Sequence, residues 1–291
     1  MREYLLNLMN DHEYEEKDKE CLISTYDTVV ANEEANKILE DILKVYKENI
    51  NLDYYNEIIV NRAQKIAGIV NIHSYTIELL AFMCMSKHLK TLYEAKNIDA
   101  QIFKDSMLDL KWKLEECKAV KGICGSFVAW WFPGFFNMTR YALGRLQFEI
   151  VKFGHNYNNN GITLTPDSRV INVHIPRTGT PMDKESCDKA YAMAREFFKD
   201  EVGENCPFIC HSWLLYPEHA NILPKHTNVY RFFSEYDVFE SAETEGDDLW
   251  RLFDTEDRNP DRLPTDSSLR RNYVEHMKKG GSTGWGLGVR P

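Results

Sequence analysis

The hydrophobic period of the chain changes near residue 143, and this change restricts the folds open to it. From about Glu33 to Gly122, apolar residues recur at spacings of three and four, as they do along one side of a helix. From Leu143 to Phe153, apolar and polar residues alternate, which is the period of a half-buried strand. The sequence therefore predicts an α+β protein, with a helical N-terminal domain over residues 1–142 and a mixed α/β domain over residues 143–291.

Several elements follow from local signals within these two domains. Residues 1–32 are polar and acidic and are predicted to be weakly ordered or short-helical. Asp99 has the position of an N-cap, and the helix after it ends near Gly122. Two other predicted helices begin near Glu33 and Ser74, and further helices are predicted over residues 54–72, 183–201 and 268–279. The predicted strands cover residues 143–153, 170–175, 208–215 and 229–240. The acidic stretch Glu240–Asp248 is predicted to be a surface loop.

Composition excludes several classes of function. The formal net charge of −10 disfavours nucleic-acid binding and binding to anionic membranes, because both require a basic surface. The most apolar stretch, Ile123–Phe136, is interrupted by Pro133 and Gly134 and is shorter than the roughly 20 residues that cross a bilayer. Seven scattered cysteines are typical of free thiols, so we expect a cytoplasmic protein. No pattern predicts the oligomeric state.

A strand, a short loop and a helix start follow one another between Val170 and Asp183, and this segment is the most informative in the chain. The first turn of a helix presents unpaired backbone N–H groups to an anion. Gly179 allows close backbone approach, Arg177 adds a cation, and the hydroxyl groups of Thr178 and Thr180 can donate hydrogen bonds. Neither the nucleotide P-loop pattern nor the Gly-x-Gly-x-x-Gly fingerprint is present, which makes the pyrophosphate of coenzyme A the leading candidate ligand.

Three strings resemble one bacterial group of acyltransferase-domain proteins, which pair a helical N-acyltransferase N-terminal domain with a GNAT-like C-terminal domain. The strings are Leu143-Gly-Arg-Leu-Gln-Phe-Glu149, Val173-His-Ile-Pro176 with its Gly179 loop, and Cys210-His-Ser-Trp-Leu-Leu215. The resemblance covers the chain from about residue 35 onward. The loop departs from the usual Arg/Gln-x-x-Gly-x-Gly/Ala pattern, since its glycine comes one place early and Pro181 removes a backbone donor.

The resemblance implies direct transfer of an acetyl or short acyl group from acyl-CoA to a small amine, without a metal. A general base would remove a proton from the amine, and His211 or His174 would supply that base. Arg145 and Glu149 share the polar face of the first predicted strand. If that face lines the cleft, Glu149 would orient the amine or act as base itself and Arg145 would hold a carboxylate; otherwise they are ordinary polar residues. The cofactor would lie along the loop. The cofactor-binding residues implied are Ile175, Arg177, Thr178, Gly179, Thr180 and Met182.

Other interpretations remain open at the level of sequence. Either histidine fits a hydrogen-bonded core position, Cys210 fits a covalent nucleophile, and Cys206 with Cys210 and His211 gives a weak zinc pattern. A tyrosine at 230 or 236 could protonate the departing thiolate. For the whole chain, the alternatives are a non-catalytic protein that binds or senses acyl-CoA and an interaction protein that uses the aromatic block at residues 127–136.

Overall fold

The computed structural model describes residues 1–246 and 249–291. The chain forms two compact units, Met1–Tyr141 and Ala142–Pro291. Helices make up the first unit, whereas helices and a six-stranded sheet make up the second. The predicted α+β class is therefore confirmed.

Helices of the first unit follow one another with short connections. The α-helices are α1 Arg2–Asp11, α2 Glu16–Ala31, α3 Glu33–Glu48, α4 Asn61–Val70, α5 Ser74–Ala95, α6 Ala100–Lys121 and α7 Pro133–Phe136. A π-helical turn, Asn56–Val60, leads into α4, and a 3₁₀ turn, Ala129–Trp131, precedes α7. The predicted caps of α6 are present: the Asp99 side chain accepts a hydrogen bond from the Gln101 N–H, and Gly122 ends the helix at φ +70°.

Two regular helices form over residues 1–32, where the sequence predicts a weakly ordered or short-helical lead-in, so the helical alternative is the correct one. Three apolar residues of α1, namely Leu5, Leu8 and Met9, are buried. In α2, Leu22 and Val29 are also buried. Each helix has few apolar residues, and burial against neighbouring helices stabilises it where the local pattern alone is weak.

Aromatic side chains fill the centre of the first unit. Phe82 of α5, a helix buried along most of its length, lies with its ring centroid 5.1 Å from that of Phe132 and 4.8 Å from that of Phe136. The Tyr46 hydroxyl donates a 2.9 Å hydrogen bond to the carbonyl oxygen of Phe136. Most of the aromatic block is therefore core, and Trp130 is its exposed member. Within the described residues no single helix is long and apolar enough to cross a membrane, and only the bent pair Asn56–Val70 with Ser74–Ala95 reaches that composition.

The second unit is built on a mixed sheet with strand order β1-β2-β5-β6-β8-β7. The strands are β1 Arg140–Leu143, β2 Leu146–Lys152, β3 Tyr157–Asn159, β4 Ile162–Leu164, β5 Arg169–His174, β6 Phe208–Ser212, β7 Asp237–Thr244 and β8 Thr283–Arg290. The helices are α8 Lys184–Val202, α9 Asn228–Ser234, α10 Leu249–Phe253 and α11 Ser268–Lys278, with 3₁₀ turns at Trp213–Leu215 and Pro217–Asn221. Strands β5 and β6 run parallel, β3 and β4 form a separate hairpin, and α8 connects β5 to β6.

Three of the predicted strands differ in extent from those in the structure. Gly144, at φ +67°, breaks the predicted strand 143–153 into β1 and β2. The first half of predicted strand 229–240 is helix α9, whose N-cap Thr227 accepts a hydrogen bond from the Tyr230 N–H. The end of predicted strand 208–215 is a 3₁₀ turn. The predicted loop 240–248 is strand up to Thr244, and Asp247 and Asp248 lie outside the described residues.

Glycines alternate along β8 because the backbone of Leu215 and the side chains of Tyr216 and Tyr236 lie directly on that strand. A Cβ atom on Gly286 would lie 2.6 Å from the carbonyl carbon of Leu215, in the 3₁₀ turn that follows β6. A Cβ atom on Gly284 would lie 2.7 Å from the Tyr216 ring, and one on Gly288 would lie 2.8 Å from the Tyr236 Cβ. The absence of side chains thus allows the chain leaving β6 to fold across β8.

Candidate functional site

Strands β5 and β6 separate soon after they begin to pair. Their parallel register contains two partners, Ile171 with Phe208 and Asn172 with Ile209. Beyond these positions β6 continues to pair with β8 as far as Ser212, and the chain then turns across β8. Because β6 stays paired with β8 and no longer with β5, a gap opens between the carboxyl ends of β5 and β6. Carboxyl ends of parallel strands are a common position for ligand sites in α/β structures.

Register places the polar candidate side chains on one face of the sheet. Glu149 is opposite Asn172, which is paired in turn with Ile209. Since side chains alternate along a strand, His174 and His211 share this face, whereas Phe148 and Phe208 occupy the other face beside Tyr191 of α8. Lower on the shared face, the β3–β4 hairpin covers a cluster of apolar residues. Its members include Tyr157, Leu164, Val170, Ile209, Leu287 and Val289.

His174 and Glu149 form a close pair at the carboxyl end of β5. The His174 Nε2 lies 2.7 Å from the Glu149 Oε1, and their side chains are 18% and 14% exposed. The amide of Asn172 lies beside both, with its Nδ2 3.4 Å from that carboxylate oxygen and 3.3 Å from the His174 Nε2. A carboxylate that accepts a hydrogen bond from Nε2–H fixes the ring and its tautomer, which leaves the basic lone pair of the neutral ring on Nδ1.

His211 stands on the same face but in a different environment. It is exposed on β6, and its ring centroid lies 4.4 Å from that of Trp285 on β8. The adjacent Cys210 points to the opposite face and is fully buried, and burial raises the pKa of its thiol to about 12. A thiol of that pKa is protonated near neutral pH and is a poor nucleophile, so the covalent alternative loses its support. The same alternation separates Cys210 from His211 as zinc ligands.

Gly179 gives the loop after β5 its shape. This residue adopts φ +70°, and a Cβ atom on it would meet no atom within 4 Å, so the glycine is required by conformation rather than by space. The hydroxyl oxygens of Thr178 and Thr180 lie 2.6 Å apart across it. At the start of α8, the Asp183 side chain accepts a 2.8 Å hydrogen bond from the Ser186 N–H. That hydrogen bond lowers the pKa of Asp183 and places a negative charge at the helix terminus.

Two arginines hold the loop by its carbonyl oxygens. Arg145, in the turn between β1 and β2, donates from Nη1 to the Pro176 carbonyl at 3.0 Å and from Nε to the Pro181 carbonyl at 3.4 Å. Arg231 of α9 donates to the carbonyl of Met182 at 2.9 Å. Arg145 was expected to share a strand face with Glu149 and to bind a carboxylate, but the turn at Gly144 directs it to the loop instead.

The remaining predicted cofactor residues fall along the same loop in different environments. Ile175 is partly buried at the end of β5, Thr180 is exposed, and the Met182 side chain is buried. Arg177 binds the carboxylate of Asp254, through Nη1 to Oδ1 and through Nη2 to Oδ2 at 3.1 Å. The loop therefore offers backbone, hydroxyl and guanidinium groups, with Arg177 already engaged by an acid.

The two tyrosines suggested as proton donors lie in different elements. Tyr236 is buried, and its hydroxyl lies 2.7 Å from the hydroxyl of Tyr191 on α8. Burial raises the pKa of Tyr236 well above its ordinary value. Tyr230 is on α9, with its ring centroid 6.3 Å from that of Phe233. Tyr236 is thus a core residue on the α8 side of the sheet.

Two family models together cover nearly the whole chain. Residues 3–138 match the N-acyltransferase N-terminal domain, and residues 141–290 match the GNAT-like C-terminal domain. No protein of curated function matches the chain.

Solved structures show the same fold over both units. An acyltransferase in complex with decanoyl-CoA and teicoplanin is similar at a TM-score of 0.75 and 19% identity, covering 98% of this chain and 86% of that chain. An acyltransferase mutant in complex with octanoyl-CoA is similar at a TM-score of 0.74 and 18% identity, covering 99% of this chain and 88% of that chain. The chain belongs to the family defined by a GNAT-like C-terminal domain, here preceded by an N-acyltransferase N-terminal domain.

Proposed function

We propose that this protein is an acyl-CoA-dependent N-acyltransferase, in which an amine attacks the thioester directly in the gap between β5 and β6. The observation that carries the proposal is the pair of His174 and Glu149 at the mouth of this gap, 2.7 Å apart. The family membership and the acyl-CoA complexes of structurally similar proteins support the same activity. Together they give a base, an orienting carboxylate and a cofactor loop in one unit.

The reaction follows from the position of each group. Neutral His174, whose Nε2–H donates a hydrogen bond to Glu149, accepts a proton from the acceptor amine at Nδ1. The amine nitrogen forms a bond to the thioester carbonyl carbon, and the carbon–sulfur bond then breaks to give an amide and the CoA thiolate. Protonation of the thiolate completes the balance, and the proton now on His174 is available for it. His211, exposed on the same face, is the alternative base.

The cofactor is expected to lie along the loop from Ile175 to Met182. Gly179 brings the backbone N–H groups of the loop to the ligand, and Thr178 and Thr180 offer hydroxyl donors beside it. Arg145 and Arg231 maintain this shape because they bind the carbonyl oxygens of the loop and turn them away from an incoming anion. These contacts support a preformed binding surface.

The length of the acyl chain and the size of the acceptor are the two properties of the substrates to be determined. Our expectation from sequence was an acetyl or short acyl group and a small amine. Proteins of this fold have been solved with octanoyl-CoA and decanoyl-CoA, and one with CoA and 10C-teicoplanin, so medium chains and a larger acceptor belong in the same test. An amine remains the acceptor in either case.

Release of the CoA thiol, measured with a series of acyl-CoAs and a panel of amines, tests the activity. We expect thiol release that depends on added amine, with the matching amide detected by mass spectrometry. Hydrolysis at the same rate with and without every amine would contradict N-acyl transfer. Binding of acyl-CoA without any release would instead support the non-catalytic alternative, a protein that binds or senses acyl-CoA.

Replacement of Gly179 by valine should weaken CoA binding while the protein stays folded. A β-branched residue at φ +70° costs on the order of 1–3 kcal/mol, which the loop can avoid by changing its conformation. We expect the Kd for CoA to rise roughly tenfold in calorimetric titration. Gly161 is the matched control, because it has φ +76° in the β3–β4 turn and equally open space around its missing Cβ. Equal CoA affinity in Gly179→Val and wild type would show that the loop is not the cofactor site.

A further inference from the structure

Two arginines from separate elements bind one carboxylate beside the loop. Arg177 lies in the loop after β5 and binds both carboxylate oxygens of Asp254. Arg270 of α11 donates from Nη2 to the Asp254 Oδ2 at 2.7 Å. Two guanidinium groups converging on one oxyanion are an arrangement that suits phosphate as well as carboxylate, because both anions accept bidentate hydrogen bonds from arginine.

Asp254 occupies a position that its local structure disfavours. The residue follows α10, Leu249–Phe253, and has φ +58°, a conformation in which glycine or asparagine usually ends a helix. Its N–H closes the helix by a 3.0 Å hydrogen bond to the Trp250 carbonyl, so the carboxylate sits at the negative end of the helix dipole. Partial burial also acts against ionisation, yet hydrogen bonds from Arg177 and Arg270 hold the pKa of Asp254 below its ordinary value.

We propose that Arg177 and Arg270 form an anion site for the phosphate groups of the acyl-CoA, and that Asp254 is an internal carboxylate which fills this site until the cofactor displaces it. The inference rests on the proposed function for the identity of the ligand. Arg177 is 44% exposed as a side chain, so a ligand can reach it from solvent. The Asp254 side chain is 24% exposed, so solvent also reaches the carboxylate that the ligand must displace.

Opposite effects of two substitutions on the same ion pair test the proposal. Asp254→Asn is isosteric, suits the positive φ and removes the competing charge, so we expect the Kd for CoA to fall roughly threefold to tenfold. Arg177→Ala breaks the same pair but removes a ligand of the phosphate, so we expect the Kd to rise about tenfold. If the Kd for CoA changed in the same direction in both variants, or stayed unchanged in Asp254→Asn, the ion pair would be purely structural. Arg270 is left intact because it also donates to the Leu252 carbonyl and to Asp266.

A matched control lies in the same segment of the chain. Asp257 forms a bidentate ion pair with Arg262, through Oδ1 at 2.8 Å and through Oδ2 at 2.5 Å, and neither residue is part of the loop. Asp257→Asn should therefore leave the Kd for CoA unchanged, while melting temperatures report any loss of folding. If Asp257→Asn tightened binding as much as Asp254→Asn, general charge removal would explain the effect and the proposal would fail.

Different ligands separate this inference from the proposed function and identify the phosphate. Dephospho-CoA lacks the 3′-phosphate. If Asp254→Asn also binds dephospho-CoA more tightly than wild type does, the site holds the pyrophosphate. If the tighter binding is seen only with CoA, the site holds the 3′-phosphate. If wild type bound no CoA at all, the proposed function would fail on its own. Inorganic pyrophosphate would then still test the anion site: tighter binding to Asp254→Asn than to wild type supports it, and equal binding overturns it.

Discussion

Replacing His174 with alanine should lower kcat roughly 100-fold to 10,000-fold, the range that loss of a general base produces. The ring is the basic member of the 2.7 Å pair with Glu149, so its removal abolishes proton acceptance while the cofactor loop stays intact. The Kd for acyl-CoA should remain within about twofold of wild type. Steady-state kinetics with amine-dependent thiol release, together with a CoA titration of the same variant, provide both values.

A second histidine–glutamate pair in the same unit supplies the control. The His155 Nδ1 lies 2.8 Å from the Glu240 Oε2, on the side of the sheet that carries the β3–β4 hairpin. His155→Ala should retain wild-type kcat. Glu149→Gln should give an intermediate loss of kcat, because the amide oxygen still accepts a hydrogen bond from the His174 ring but no longer stabilises the charged form of that ring. Full activity in His174→Ala, with loss of activity in His211→Ala, would assign the base to β6 instead.

Substitution of Gly286 by valine should produce the largest loss of stability among the changes considered, roughly 3 kcal/mol in the free energy of unfolding. The Cβ would lie 2.6 Å from the Leu215 carbonyl carbon, a backbone atom that cannot rotate away. Either β8 or the turn Trp213–Leu215 must move. Because this turn leads β6 away from β5, we also expect weaker binding of acyl-CoA by the folded fraction.

Urea denaturation followed by circular dichroism measures this effect. Gly68→Ala is the matched control, since Gly68 lies inside α4 and a Cβ there meets nothing within 4 Å. Alanine in a helix interior should raise the stability of the helical unit by about 0.5–1 kcal/mol. An unchanged unfolding midpoint in Gly286→Val would contradict the close approach of the turn to β8.

Sequence patterns predicted elements that depend on local chemistry. The apolar stripe of α3 and the caps of α6 at Asp99 and Gly122 are present as expected. Local signals failed where burial by distant residues decides the structure. Helices α1 and α2 have sparse apolar residues, and α9 has the aromatic content of a strand but begins at the N-cap Thr227.

Placement of the site depended on strand register, which a single sequence does not contain. His174 and Glu149 were each singled out, but their pairing requires β2 and β5 to align Gln147 with His174. The role of Arg145 follows from the turn at Gly144, whose glycine was a visible signal for a break in the strand. Asp254 gave no sequence signal as a partner of the loop, because 77 residues separate it from Arg177.

Hydrogen–deuterium exchange with and without saturating acyl-CoA tests the central claim most directly, since it reports binding and location together. We expect slower exchange in the loop from Ile175 to Asp183, in the first turn of α8 and at the end of β6. Exchange in the hairpin turn at Gly161, which lies outside the proposed cofactor site, should be unchanged. Protection confined to the helical unit, or no protection at millimolar acyl-CoA, would contradict a cofactor site between β5 and β6.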